Sequence, residues 1–132
     1  MSVPKMISID KKLIHPMPVA RFEGRAIVID NAADARQAVA FLAKQPMLGF
    51  DTETRPSFKK GDAHKVALIQ LSTTDECFLF RINKTGLTEP LVKLLENPDV
   101  LKIGLSPKDD FHGLNRLAPC SPAGVIELQQ LV

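Results

Sequence analysis

Leu48-Gly49-Phe50-Asp51-Thr52-Glu53-Thr54 is a short apolar run that ends in two carboxylates, two residues apart. Residues two apart on a strand point to the same face. Asp51 and Glu53 are therefore expected to project together from the end of a strand whose body is buried. Neighbouring carboxylates repel unless a cation lies between them, and Mg²⁺ and Mn²⁺ prefer carboxylate oxygen. A polar strand end facing water is the other reading of an isolated Asp-x-Glu.

The chain around this stretch has 132 residues, a length that fits one domain. Hydrophobic residues make up 45%, which supports a packed core and excludes a disordered tail. A net charge of +2 permits a nucleic-acid partner without arguing for one, since dedicated electrostatic binders are more basic. Cys77 and Cys120 have neither zinc-ligand spacing nor the density of a disulfide scaffold, so reduced thiols in a cytoplasmic protein are expected. The N-terminus lacks a signal peptide's apolar core, and no apolar run approaches the ~20 residues of a membrane span.

Residues 1–24, with Pro4, Pro16 and Pro18, read as an extended lead-in to a domain over 25–132. Arg25–Asp30 is β-branched and short, an edge strand. Asn31 reads as an N-cap, followed by the helical stripe Ala35, Ala38, Val39 and Leu42. Met47–Thr52 is apolar almost throughout, as a central strand buried on both faces should be. A polar loop from Arg55 to Lys65 leads to strands at Val66–Thr73 and Cys77–Ile82, joined as a hairpin through Thr74-Asp75. Pro90 opens a helix marked by Leu91, Val92, Leu94 and Leu95. Val100–Gly104 is a further strand. Ser106 and Pro107 then start a helix whose apolar side is Phe111, Leu114 and Leu117. Val125-Ile126 forms a last short strand, and Glu127–Val132 begins a helix that stops after about one turn, too short to be stable alone. The pattern predicts an α/β layered domain, with an antiparallel hairpin beside parallel strands. It reads as the front part of a larger domain.

A third acid, Asp110, falls in the first turn of the helix after Val100–Gly104. Sites in open α/β sheets form beyond the carboxyl ends of the strands. If Met47–Thr52 and Val100–Gly104 are parallel neighbours, Asp110 comes up beside Asp51 and Glu53. Three converging carboxylates suit two divalent ions about 4 Å apart, an arrangement for in-line attack on a phosphodiester.

Four stretches together resemble the DEDD family of 3′–5′ exonucleases: Leu48–Thr54, Lys65–Thr73, Asn97–Gly104 and Asp110-Phe111. The branch they are most similar to holds ribonuclease D and the Werner-type exonuclease domain, and the likeness runs over about residues 22–132. The resemblance implies a ribonuclease H-like mixed sheet with flanking helices and two Mg²⁺ or Mn²⁺ ions. It implies hydrolysis of DNA or RNA from the 3′ end, releasing nucleoside monophosphates. The family's Asp-x-Glu matches Asp51 and Glu53, and its second-motif aspartate matches Asp110, with Asp109 the rival. By this resemblance Asp51 bridges both metals, Glu53 holds the metal on the nucleophile side and Asp110 binds the second. The family's third motif, Tyr-x-x-x-Asp on a C-terminal helix, has no counterpart, for this sequence contains no Tyr. The resemblance thus implies a domain truncated before that motif, weak or inactive as it stands. Its sheet would lack the cover of C-terminal helices and would hide the open face in a homodimer.

Among the remaining candidates, Lys59, Lys60 and Lys65 are placed to touch substrate phosphates, with a solvated loop as the alternative. Phe58 is placed to stack on a base or to anchor its loop. Thr52 and Thr54, flanking the acids, join the nucleic-acid-binding set. Gln70 interrupts an apolar strand and needs a hydrogen-bond partner. His64 and His112 read as surface residues, and the two cysteines as inert thiols. Asp-x-Glu-x-Thr is also similar to the haloacid-dehalogenase-type phosphatases, although their second acid is normally Asp and the hairpin does not suit their parallel fold. A non-catalytic nucleic-acid-binding or interaction module is the other class of answer.

Overall fold

The computed structural model describes residues 24–55, 65–105 and 107–130. The lead-in before Gly24, the candidates Phe58, Lys59, Lys60 and His64, and the Ser106 cap lie outside the described residues. Six strands form one mixed sheet: β1 (Arg25–Ile29), β2 (Met47–Arg55), β3 (Lys65–Ser72), β4 (Glu76–Phe80), β5 (Leu101–Gly104) and β6 (Val125–Glu127). Their spatial order is β1-β4-β3-β2-β5-β6. Four helices join them: α1 (Ala32–Leu42), α2 (Ile82–Thr85), α3 (Glu89–Glu96) and α4 (Pro107–Asn115). A 3₁₀ turn at Leu128–Gln130 follows β6.

Local chemistry sets the joints. Asn31 caps α1, its Oδ1 accepting from the Asp34 N–H at 2.9 Å. Thr73 builds the β3–β4 turn: its hydroxyl oxygen accepts from the Asp75 and Glu76 N–H groups and donates to the Glu76 carboxylate at 2.7 Å. Pro90 sits at the start of α3 and Pro107 opens α4. Antiparallel β2–β3 and β3–β4 pairs form the hairpin, and β2 runs parallel to β5. The β3–β4 hairpin is as the sequence reading predicts, the parallel β2–β5 pairing meets the condition it set for Asp110, and the antiparallel β2–β3 pairing is new.

Four details differ from that reading. Ile82 leaves the strand: the Arg81 N–H closes the ladder onto the Ile29 carbonyl, and a helical turn lets Ile82 dip into the core. Leu117 falls beyond α4 and is exposed. β2 continues three residues past Thr52, because its pairing with β3 runs on to Arg55 and Lys65. The acids therefore stand within a strand rather than at its end. Finally, β2, β3 and β4 are buried on one face only, whereas β5 is buried on both, through Lys102 and Ile103. Leu48, Phe50, Ile69, Leu71, Phe78 and Phe80 alternate into a single core with Leu42, Leu91, Leu95 and Phe111 from the helices. The opposite face carries Gly49, Asp51, Gln70, Ser72 and Val28, and no described α-helix packs there; the 3₁₀ turn brings Leu128 beside Ile103 on this face.

Candidate active site

The parallel part of β2 stops early. Its last partner on β5 is the pair Gly49–Ile103, whereas its pairing with β3 continues for six more residues. From Phe50 onward β2 overhangs β5, and the acids stand on that overhang. Asp51 lies opposite Gln70, and Glu53 opposite Leu68. Both acids are exposed on the helix-free face. The Asp51 carboxylate accepts from the Thr52 N–H at 2.9 Å. The register shifts between Glu53 and Thr54, leaving Ala67 of β3 without a partner and turning Val66 into the core.

Thr52 alternates to the other face. There its hydroxyl donates to Asp110 Oδ1 at 2.6 Å, joining two residues 58 positions apart. The helix that carries Asp110 is seated by Phe111, whose ring stacks on Phe50 with centroids 4.8 Å apart. Gly113 lets the same helix approach β3, for a Cβ there would lie 2.9 Å from Val66 Cγ2. Asp110 is half-buried. Loss of hydration raises its carboxyl above the ordinary range; the Thr52 hydrogen bond opposes this, and the charges of Asp51 and Asp109 add to it. Asp51 is thus close enough for its charge to be felt at Asp110. Among the described residues, no three acids, histidines or cysteines are gathered tightly enough to form a ready metal cluster. Nor does a Lys or Arg there pair with Asp51, Glu53 or Asp110; the ion pairs are Arg25–Glu76 and Lys93–Glu89.

A groove of about 690 Å³ runs along the open face from Asp51. Gln70 and Ser72 line one wall, Ile103 and Leu128 the other, and Gly49 the floor. Sequence reading misses Gly49 and Ser72. The available signal is a glycine inside a strand, which marks close approach. Of the remaining candidates, Thr54 and Lys65 are exposed near the bulge, and His112 is exposed on α4. Cys77 is half-buried and Cys120 buried; both are free thiols. No described helix is long and apolar enough to cross a membrane.

Comparison with known proteins gives a consistent picture. A family profile described as 3′–5′ exonuclease matches residues 26–131. The exonuclease mut-7 homolog of Aedes aegypti is 28% identical over 123 residues, covering 83% of this chain and 17% of that protein. The bifunctional 3′–5′ exonuclease/ATP-dependent helicase WRN of Mus musculus is 30% identical over 106 residues, covering 76% of this chain and 8% of its own. The crystal structure of the Aedes aegypti Nibbler EXO domain superposes with a TM-score of 0.71 at 26% identity, over 80% of this chain and 54% of that one. The chain spans less than a fifth of either curated relative and about half of the solved domain.

Proposed function

Because this chain belongs to the 3′–5′ exonuclease family, we propose that it acts on the 3′ end of a nucleic acid, with Asp51, Glu53 and Asp110 as its acidic centre. The observation that carries this reading is the Thr52–Asp110 contact. It brings an acid from α4 to the flank of the Asp-x-Glu pair, at the overhang of β2 past β5. The antiparallel β2–β3 pairing also argues against a parallel phosphatase fold.

The donor set fits a hard divalent ion such as Mg²⁺ or Mn²⁺: all three groups offer carboxylate oxygen, and no described cation competes for them. Asp51 would be shared between two ions, Glu53 would serve the nucleophile side and Asp110 the leaving side. Once bound, such ions stabilise charge on phosphoryl oxygen and lower the pKa of water. The chain's own residues do the rest. Asp51 and Glu53 set the negative field on the open face. Gln70 and Ser72 offer hydrogen-bonding groups along the groove, and Ile103 and Leu128 offer an apolar wall, a combination suited to a terminal nucleotide. Lys65, Phe58, Lys59 and Lys60 meet the rest of the strand through phosphate contacts and base stacking; Thr54, on the Thr52 face of β2, is not part of that contact. Two free thiols agree with a cytoplasmic location. The β1–β4 half of the open face, with Val28 53% exposed, is assigned to a homodimer contact.

The test is a 5′-labelled single-stranded oligonucleotide incubated with Mn²⁺, together with calorimetric titration of Mn²⁺. The expected result is slow, metal-dependent shortening from the 3′ end and weak Mn²⁺ binding. Asp51→Ala and Asp110→Ala should each reduce the rate at least about 10²-fold, since misplacing one group by 1 Å already costs that much. Mn²⁺ binding that survives Asp51→Ala combined with Glu53→Ala overturns the assignment.

A further inference from the structure

We propose that Thr52 is a positioning residue: it latches Asp110 to the Asp-x-Glu strand so that the third carboxylate is held ready for the metal. This rests on the function proposed above and extends it to a residue that otherwise reads as a substrate contact. Strand alternation turns Thr52 away from the face of Asp51 and Glu53. A nucleic acid lying along that open face therefore does not meet the hydroxyl. The hydroxyl instead donates to Asp110 Oδ1 at 2.6 Å, within the range of hydrogen bonds to an ionised acceptor and stronger than a neutral one. Among the described residues no group donates to Asp110 Oδ2.

The latch has a physical task. Asp110 sits in the first turn of a nine-residue helix, beside Asp109 and within the field of Asp51. Like charges drive its carboxylate outward, away from the acids it must join. Phe111 and Gly113 fix where the helix lies but not the direction of the Asp110 side chain. The Thr52 hydroxyl holds it back toward the strand, from the residue between the two acids. One tripeptide thus presents two carboxylates on one face and holds the third from the other. Outer-shell partners of this kind are worth roughly 10–100-fold in metal affinity.

The experiment is calorimetric titration of the 132-residue chain with Mn²⁺, alongside thermal melts without metal. Thr52→Val keeps the β-branched shape and removes the donor, Thr52→Ala removes both, and Thr52→Ser keeps the donor. The expected result is about tenfold weaker Mn²⁺ binding in the Val and Ala variants, and affinity near the parent's in the Ser variant. The order of melting temperatures should not follow the order of affinities. Asp110→Asn is the control. If it weakens binding while both donor-less variants bind like the parent, the latch is overturned and the proposed function stands. If Asp110→Asn and Asp51→Ala both leave Mn²⁺ binding unchanged, the acidic centre is overturned and the latch with it. A Ser variant as weak as the Val variant also overturns the latch, since packing would then be the cause.

Discussion

Lys102 is fully buried, the only charged residue so placed among the described residues. It lies level with Leu48 on the core face, and its Nζ donates to the carbonyls of Asn97 at 2.7 Å and Leu94 at 3.2 Å. The cation therefore sits at the C-terminal end of α3, where helix carbonyls concentrate negative potential. Burial pulls its pKa from 10.5 down to about 8, and the charge of Cys120 acts in the opposite sense. Between pH 8 and 10.5 the unfolded chain then binds more protons at this position than the folded chain, so its contribution to stability rises with pH. The Cys77 and Cys120 thiols, pushed up by burial, slope the other way. Urea unfolding of the parent and Lys102→Met at pH 7.5 and 10, both carrying Cys120→Ala, separates these effects, because Cys77 is common to both and Cys120, which feels Lys102, is removed. The parent should gain stability relative to the variant as pH rises. An equal response in both proteins would show that Lys102 is not desolvated as its burial indicates.

At the scale of elements, two glycines mark how closely β2 is flanked. A Cβ on Gly104 would lie 2.8 Å from the Phe50 backbone carbonyl oxygen, and one on Gly49 would lie 2.5 Å from Ser72 Oγ. The second distance is shorter, yet the second substitution is the milder. A serine hydroxyl rotates to another staggered position, whereas the Phe50 carbonyl is fixed in the strand that carries Asp51. Gly104→Ala is expected to cost about 1–3 kcal/mol by overpacking and to push β5, with α4 behind it, away from β2. Gly49→Ala should cost less, and most of its cost should vanish in combination with Ser72→Gly. Denaturant midpoints of the four proteins check the order; equal losses at the two glycines would refute it.

For the whole molecule, the governing fact is the one-sided sheet. Among the described residues every helix that contributes to the core packs on the same face, while Val28 and Leu101 on the other are 53% and 36% exposed. Val28, on the β1 edge of the open face, is the exposed apolar residue there available for a twofold contact, and closed twofold pairs are the commonest homo-oligomers. Light scattering on the 132-residue chain at tens of micromolar is expected to give the mass of a dimer. Val28→Lys, which puts a charge in the assigned contact, should shift it toward monomer. A clean monomer without dye-binding hydrophobic surface would show that the face needs no partner.

The amino-acid sequence alone determined the six strands, the helices α1, α3 and α4, and their order, but not the short helix α2. Turn and cap chemistry is local, so Asn31, Thr73–Asp75, Pro90 and Pro107 were legible without a fold, and the alternation across Asp51, Thr52 and Glu53 already put the two acids on one side. The pattern of motifs was specific enough to identify the family, while the parallel β2–β5 pairing stood only as a condition until the structure met it. What it could not decide were matters settled by contacts between distant segments. The apolar strands looked buried on both sides because hydrophobicity does not report which faces helices cover. Lys102 passed as an ordinary strand residue because only the approach of α3 and its carbonyls gives a buried ammonium its partners. The same limit concealed the role of Thr52. Its neighbours in sequence are the acids, so it read as part of their surface, and only the packing of α4, 58 residues later, brought the carboxylate that its hydroxyl holds.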